Sequence, residues 1–247
     1  MNRTTIQLSD FGRIFYGLSI SGLGILTVYQ QDFPYMLIPS KHSWIPGLTE
    51  VAIVFGAFLI FCGAAITFNK KAKSVANILG IVLLLIFCFY FIPYQFSVSK
   101  NFLQFGDWEN AAKELALSAG AFLVAGRYSK NKLFRFGAIL YAITILSFSI
   151  DHFLYAQEAV GYVPSWIPFP LFWMYFCGAA LAAAAVAILL KIKIRLAAIM
   201  LGSMIFTWFI ILHIPYVIEA SSKAARLGET ASAFLALAYS GAAFLIA

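Results

Sequence analysis

Eight predominantly apolar stretches alternate along the chain with short polar or charged segments. Each is close to the roughly 20 residues that a helix needs to cross the hydrocarbon core of a bilayer. The fourth is the least apolar, because Glu109, Lys113 and Glu114 lie in its first turns. The pattern predicts an all-α membrane protein with eight transmembrane helices. The predicted spans are residues 14–30, 48–68, 74–93, 109–126, 133–151, 168–190, 195–214 and 230–247.

Composition supports lipid as the solvent of this chain. Of its 247 residues, 62% are hydrophobic and 11% are charged, whereas soluble domains average about 45–50% apolar and 25% charged residues. The formal net charge of +7 does not indicate nucleic-acid binding, because the basic residues form short clusters between the apolar stretches. The predicted partner of the chain is therefore the lipid bilayer.

The basic residues predict the orientation of the chain. The N-terminal segment and the turns after the second, fourth and sixth spans hold twelve of the seventeen lysines and arginines. Cytoplasmic loops are enriched in lysine and arginine, so both termini are predicted to be cytoplasmic. Arg13 and Arg135, which begin the first and fifth spans, are expected to extend towards the lipid headgroups. The twelve are Arg3, Arg13, Lys70, Lys71, Lys73, Arg127, Lys130, Lys132, Arg135, Lys191, Lys193 and Arg195.

An internal repeat accounts for the order of the spans. When the sequence is shifted by 122 residues, Arg13 to Ala125 align with Arg135 to Ala247 without a gap, with 29 identities in 113 pairs. Matching segments include Ser43-Trp44-Ile45-Pro46 with Ser165-Trp166-Ile167-Pro168, and Ile92-Pro93-Tyr94 with Ile214-Pro215-Tyr216. Such self-similarity is the sequence signature of a repeated architecture.

The repeat predicts two tandem four-helix units, residues 1–126 and 127–247. Because four spans return the chain to the side on which it started, both units insert in the same orientation. They are therefore expected to be related by a pseudo-twofold axis along the membrane normal, as in parallel repeats.

The first unit carries a loose motif of small and charged residues at helical spacing. Glu50, Gly56, Leu59 and Gly63 lie in the second span, and Lys71-Ala72-Lys73 precedes the third. With Arg13 and Ala76, this pattern resembles the DoxX-like family of four-helix membrane proteins. The second unit keeps Arg135, Gly178, Leu181, Lys193, Arg195 and Ala198, but has Phe172 in place of Glu50 and Ala185 in place of Gly63.

The resemblance covers nearly the whole chain as two fused units, and it implies a bacterial inner-membrane location. Some members of the family are subunits linked to thiosulfate oxidation with electron transfer to quinone. The resemblance therefore allows a quinone as cofactor, and at most the role of a membrane subunit of an oxidoreductase. No other cofactor is evident in the sequence, and most members of the family have no assigned activity.

Ionisable side chains at membrane depth are costly and often mark functional sites. Those of this chain concentrate on the predicted outer side, but polar groups at helix ends also simply meet water and headgroups. His152 and His213 stand where the first unit has Gln30 and Phe91, so only the second unit carries this pair. No metal site is predicted. The candidate outer-face polar site comprises His152, Asp151, His213, Glu114, Glu50 and Tyr216.

Three functions remain open from the sequence. The first is a quinone-linked redox subunit with its polar site on the outer face. The second is a non-catalytic membrane scaffold that binds a partner protein through its outer segments. The third is a carrier for a small solute or lipid, since tandem parallel repeats are common in transporters.

Overall fold

The computed structural model describes residues 7–38, 48–99, 101 and 103–247, and these ranges contain helices, turns and loops but no β-strand. His42 and the predicted Ser43-Trp44-Ile45-Pro46 segment lie outside the described residues. The long helices are α1 (Leu8–Gln30), α2 (Leu48–Thr67), α3 (Ala72–Ser97), α4 (Glu109–Gly126), α5 (Lys132–Leu154), α6 (Pro170–Leu189), α7 (Ile194–Glu219) and α8 (Lys223–Ile246).

Seven of these helices are long and apolar enough to cross a membrane, which makes the chain a multi-pass helical membrane protein. The eighth is α4, whose 18 residues include Glu109, Lys113 and Glu114. Nearly all of α4 beyond its first turn is nonetheless buried by the other helices. Its charged side chains therefore meet protein as well as solvent.

The helices pack in a ring in which chain neighbours touch, and α8 closes the ring against α1. α4 and α8 also contact each other, so they form the centre of the bundle. Small residues allow the closest approaches: a Cβ atom added to Gly24 of α1 would lie 2.6 Å from the carbonyl oxygen of Gly56 in α2. Such contacts are the usual basis of helix association in lipid, where no hydrophobic force drives helices together.

The start of α1 and the end of α8 lie at the same end of the bundle. Arg127, just after α4, donates to the Asp10 carboxylate of α1 over 2.5 Å. Lys130 Nζ lies 3.1 Å from the carbonyl oxygen of Leu245 near the end of α8. The start of α1 and the ends of α4 and α8 therefore meet.

Arg13 does not extend to the headgroups, so the interpretation made from the sequence is wrong for this residue. Its side chain is buried, and its guanidinium donates to the carbonyl oxygens of Ile66 (2.6 Å) and Thr67 at the end of α2. The last carbonyls of a helix have no partner within the helix, which makes them strong acceptors for a buried cation. Arg135, its counterpart in the repeat alignment, is exposed.

α3 and α7 continue past the prolines at which the sequence predicted them to end. In each helix a π-helical turn precedes the proline: Phe87–Phe91 before Pro93, and Phe209–His213 before Pro215. Proline lacks a donor N–H and clashes with the carbonyl one turn earlier. The wider π turn accommodates the ring, so both helices run on to Ser97 and Glu219.

Candidate functional site

Charged and polar side chains of α4, α5 and α7 lie within electrostatic range of one another. Lys113 and Glu109 form an ion pair of 2.8 Å along one face of α4. Both act electrostatically on Asp151 in the last turn of α5, and Lys113 also acts on His213 in the π turn of α7. Three helices thus bring ionisable groups to one cleft, which we call the Lys113 cleft.

The polar groups of the Lys113 cleft are incompletely paired. Both carboxylate oxygens of Asp151 and the Nδ1 atom of His213 are buried without a hydrogen-bond partner among the described residues. A buried polar atom without a partner costs about 1–3 kcal/mol, and most buried polar groups are satisfied by protein or by water. These three atoms are therefore available to a bound polar group.

His152 borders the same cleft. Its Nδ1 atom lies 2.7 Å from the carbonyl oxygen of Phe148, one turn earlier in α5. Because a carbonyl oxygen only accepts, Nδ1 carries a proton and donates it, which leaves Nε2 as the free ring nitrogen. Glu109 acts electrostatically on this histidine.

The other three candidate residues lie apart from this group. Glu50 is exposed in the first turn of α2. Tyr216 donates its hydroxyl hydrogen to the carbonyl oxygen of Tyr162 over 2.8 Å, which ties α7 to the segment after α5. Glu114 is fully buried, and its electrostatic neighbours are Tyr16 of α1 and Tyr239 of α8.

Lys113 was not among the candidate residues, although it is the cation shared by Asp151 and His213. Lys113 follows Glu109 by four residues, and residues four apart lie on the same helix face. This spacing could have indicated Lys113 from the sequence. Adjacent helical residues point about 100° apart. Lys113 and Glu114 therefore serve different surfaces of α4.

The corresponding cleft of the first unit has no such charge cluster. The 122-residue shift of the repeat pairs Asp151 with Tyr29 and His213 with Phe91. Tyr29 lines a recess of about 330 Å³ with Lys223 and Arg226, and its ring lies 4.8 Å from the Lys223 ammonium. The charged cluster is thus a property of one cleft and not of the helix arrangement.

Comparison with protein-family models, with curated proteins and with solved structures gives no match to this chain. Within the described ranges, no group of three or more histidine, cysteine, aspartate or glutamate side chains is arranged to hold a metal ion. The chemistry of the site is therefore argued from its own residues.

Proposed function

We propose that this protein is a DoxX-like membrane protein built from two tandem four-helix units, residues 1–126 and 127–247. The support comes from two pairs of helices that recur 122 residues apart with the same lengths. α2 and α6 both have 20 residues, and α3 and α7 both have 26. The π turns Phe87–Phe91 and Phe209–His213 occupy the same place in α3 and α7.

Contacts between helices recur at the same interval. Ser118 Oγ donates to the carbonyl oxygen of Gly80 over 2.8 Å, and Ser240 Oγ donates to that of Gly202 over 2.8 Å. α1 packs against α8 as α5 packs against α4. A pseudo-twofold axis along the membrane normal, between α4 and α8, accounts for both sets of contacts.

In this proposal α4 is the eighth span. Its 18 residues give a length of about 27 Å, close to the thickness of the hydrocarbon core. Two of its charges, Glu109 and Lys113, lie near one end and pair with each other. The helix then ends beside Asp10, at the end of the bundle where α1 begins and α8 ends.

The termini are proposed to be cytoplasmic, in a bacterial plasma membrane. Arg127 and Lys130 follow α4 at the end of the bundle where α1 begins and α8 ends. Lysine and arginine concentrate on cytoplasmic loops, so this end faces the cytoplasm. The Lys113 cleft then lies towards the outer face.

We propose that the Lys113 cleft binds the head group of a lipid-soluble quinone. The observation that carries this proposal is the set of unpaired polar atoms, the two Asp151 carboxylate oxygens and His213 Nδ1, beside a lysine within an apolar bundle. Ligand sites of this kind combine apolar walls with a few convergent polar groups. α5 and α7, which carry Asp151 and His213, are long and apolar enough to cross a membrane, and the membrane is the phase in which a quinone is dissolved.

The cleft offers both a hydrogen-bond donor and a hydrogen-bond acceptor to a quinone head group. The carbonyl oxygens of a quinone accept hydrogen bonds, which the Lys113 ammonium can donate. The hydroxyl groups of the quinol donate hydrogen bonds, which the Asp151 carboxylate can accept. Reduction of the quinone to the quinol adds two electrons and two protons. The electrons come from a partner protein on the outer face or from a reduced substrate. His213 and Asp151 are the groups that exchange protons with the quinone oxygens.

Quinone binding is tested by titrating the purified protein in lipid nanodiscs with decylubiquinone and following quenching of tryptophan fluorescence. Trp208 lies one turn before His213 in α7 and reports on this region. We expect saturable quenching in the wild type. Asp151→Asn combined with Lys113→Met should weaken binding about tenfold or more, because the Lys113 ammonium donates to the quinone carbonyl a charge-assisted hydrogen bond worth about 1.5–3 kcal/mol.

Tyr29→Phe is the matched control, because Tyr29 is the counterpart of Asp151 in the first unit. It should leave quinone affinity unchanged. Quenching that does not saturate, or that is equal in the wild type and the double variant, would show that the Lys113 cleft does not bind quinone.

A scaffold function is the second candidate, and the segment between α5 and α6 favours it. Tyr162, Trp166 and Phe169 expose 63%, 68% and 78% of their surfaces. Such aromatic residues fit either the headgroup layer or the surface of a partner protein. A photo-crosslinker at position 166 that captures one protein in stoichiometric amount, in place of lipid, would support the scaffold.

A further inference from the structure

Glu114 is a fully buried acid at the junction of three helices. It lies in the second turn of α4, none of its surface is exposed, and neither carboxyl oxygen has a hydrogen-bond partner among the described residues. Within those residues no lysine or arginine forms an ion pair with it. Its counterpart in the second unit is the small residue Ala236, so the repeated fold does not require an acid here.

Two tyrosines from other helices flank Glu114. The hydroxyl of Tyr16 in α1 donates to the carbonyl oxygen of Leu117 over 2.5 Å. The hydroxyl of Tyr239 in α8 donates to the carbonyl oxygen of Lys113 over 3.2 Å. Both acceptors belong to the backbone of α4, one residue before and three residues after Glu114.

These hydrogen bonds determine what the tyrosines can offer to Glu114. A tyrosine hydroxyl has one hydrogen, and in both cases a backbone carbonyl receives it. The hydroxyl oxygens of Tyr16 and Tyr239 then have only lone pairs left. Neither tyrosine therefore has a hydrogen left to donate to an ionised Glu114 carboxylate.

We propose that Glu114 is a proton-binding site in the centre of the bundle, occupied at neutral pH. An unpaired charge buried among apolar groups costs far more than a neutral acid. Loss of the proton would place that charge at the contact of the three helices. Proton release is therefore coupled to the separation of α1 or α8 from α4.

The surrounding titratable groups are consistent with a neutral acid. Glu109 and Lys113 on α4 itself pair with each other, and Lys113 points away around the helix. Tyr16 on α1 and Tyr239 on α8 are the nearest groups, with Cys62 of α2 and Tyr141 of α5 behind them. None of the groups that face Glu114 is a cation. The inference is independent of quinone binding.

Infrared spectroscopy of the full chain in nanodiscs at neutral pH tests this proposal. A protonated carboxylic acid has a C=O stretch that a carboxylate lacks. We expect this band in the wild type, its loss in Glu114→Gln, and its retention in Glu109→Gln and Asp151→Asn. Gln has the same shape as the neutral acid and carries no charge.

Isotope labelling assigns the infrared band without any amino-acid substitution. Carbon-13 in the glutamate carboxyl groups should shift the band, whereas labelling of aspartate should not. Glu114 is the fully buried glutamate among the described residues, so a glutamate band at neutral pH belongs to it. The proposal is wrong if the wild type has no protonated-acid band, or if the band shifts only with labelled aspartate.

Discussion

Gly63→Leu is expected to prevent α1 and α2 from packing and to remove most folded protein from the membrane. A Cβ atom at Gly63 would lie 2.5 Å from the carbonyl oxygen of Gly17 in α1, which is backbone and cannot rotate away. Overpacking a tight contact costs about 1–3 kcal/mol, and more where the backbone must move. We expect a loss of at least about 3 kcal/mol, a large share of a typical folding free energy of about 5–15 kcal/mol.

The measurement is the fraction of monodisperse protein after detergent extraction, together with its thermal midpoint. Gly228→Leu is the matched control, because no atom lies within 4 Å of a Cβ atom built on Gly228 in α8. It should behave as the wild type. Equal behaviour of the two variants would mean that α1 and α2 do not approach at Gly17 and Gly63.

Arg13→Leu is expected to lower the free energy of unfolding by about 3 kcal/mol. The guanidinium caps the end of α2 through Ile66 and Thr67, and Asp10 lies 4.0 Å away. Leucine fills part of the space but leaves these buried carbonyls without donors. Leaving a buried group without its charged partner costs more folding free energy than a surface ion pair contributes.

Arg135→Leu provides the control, because the 122-residue shift of the sequence pairs Arg135 with Arg13. Arg135 is exposed, and surface substitutions usually change stability by less than about 0.5 kcal/mol. Thermal melts of both variants in the same detergent give the comparison. A loss of stability as large for Arg135→Leu as for Arg13→Leu would contradict the cap of α2 by Arg13.

Helix positions could be predicted from the sequence because the bilayer imposes a length on every span. The range predicted for α4, residues 109–126, agrees with the observed helix despite its three charges. The ends of α3 and α7 could not be predicted, since the π turns that accommodate Pro93 and Pro215 leave no composition signal. For α8, the predicted start at residue 230 was seven residues late because charged residues of its first turns, Lys223 and Arg226, resemble a loop.

Side-chain positions were less predictable, because they depend on which helices become neighbours. Asp151 and His213 were selected as unusual polar residues, but their common electrostatic partner Lys113 becomes apparent only when the helices are assembled. Glu114 was assigned to the same site. The structure directs it towards α1 and α8, on the face of α4 that a hydropathy pattern cannot identify.

The central claim is that the chain crosses the membrane eight times as two units of the same orientation. If α4 crosses the membrane, the number of spans is eight and both termini lie in the same compartment. If α4 does not cross, the number is seven and the termini lie in opposite compartments. Reporters fused to each terminus, one that fluoresces only in the cytoplasm and one that is enzymatically active only outside it, measure this directly. Eight spans predict that both termini report the cytoplasm; an N-terminus in the cytoplasm with a C-terminus outside would contradict the account.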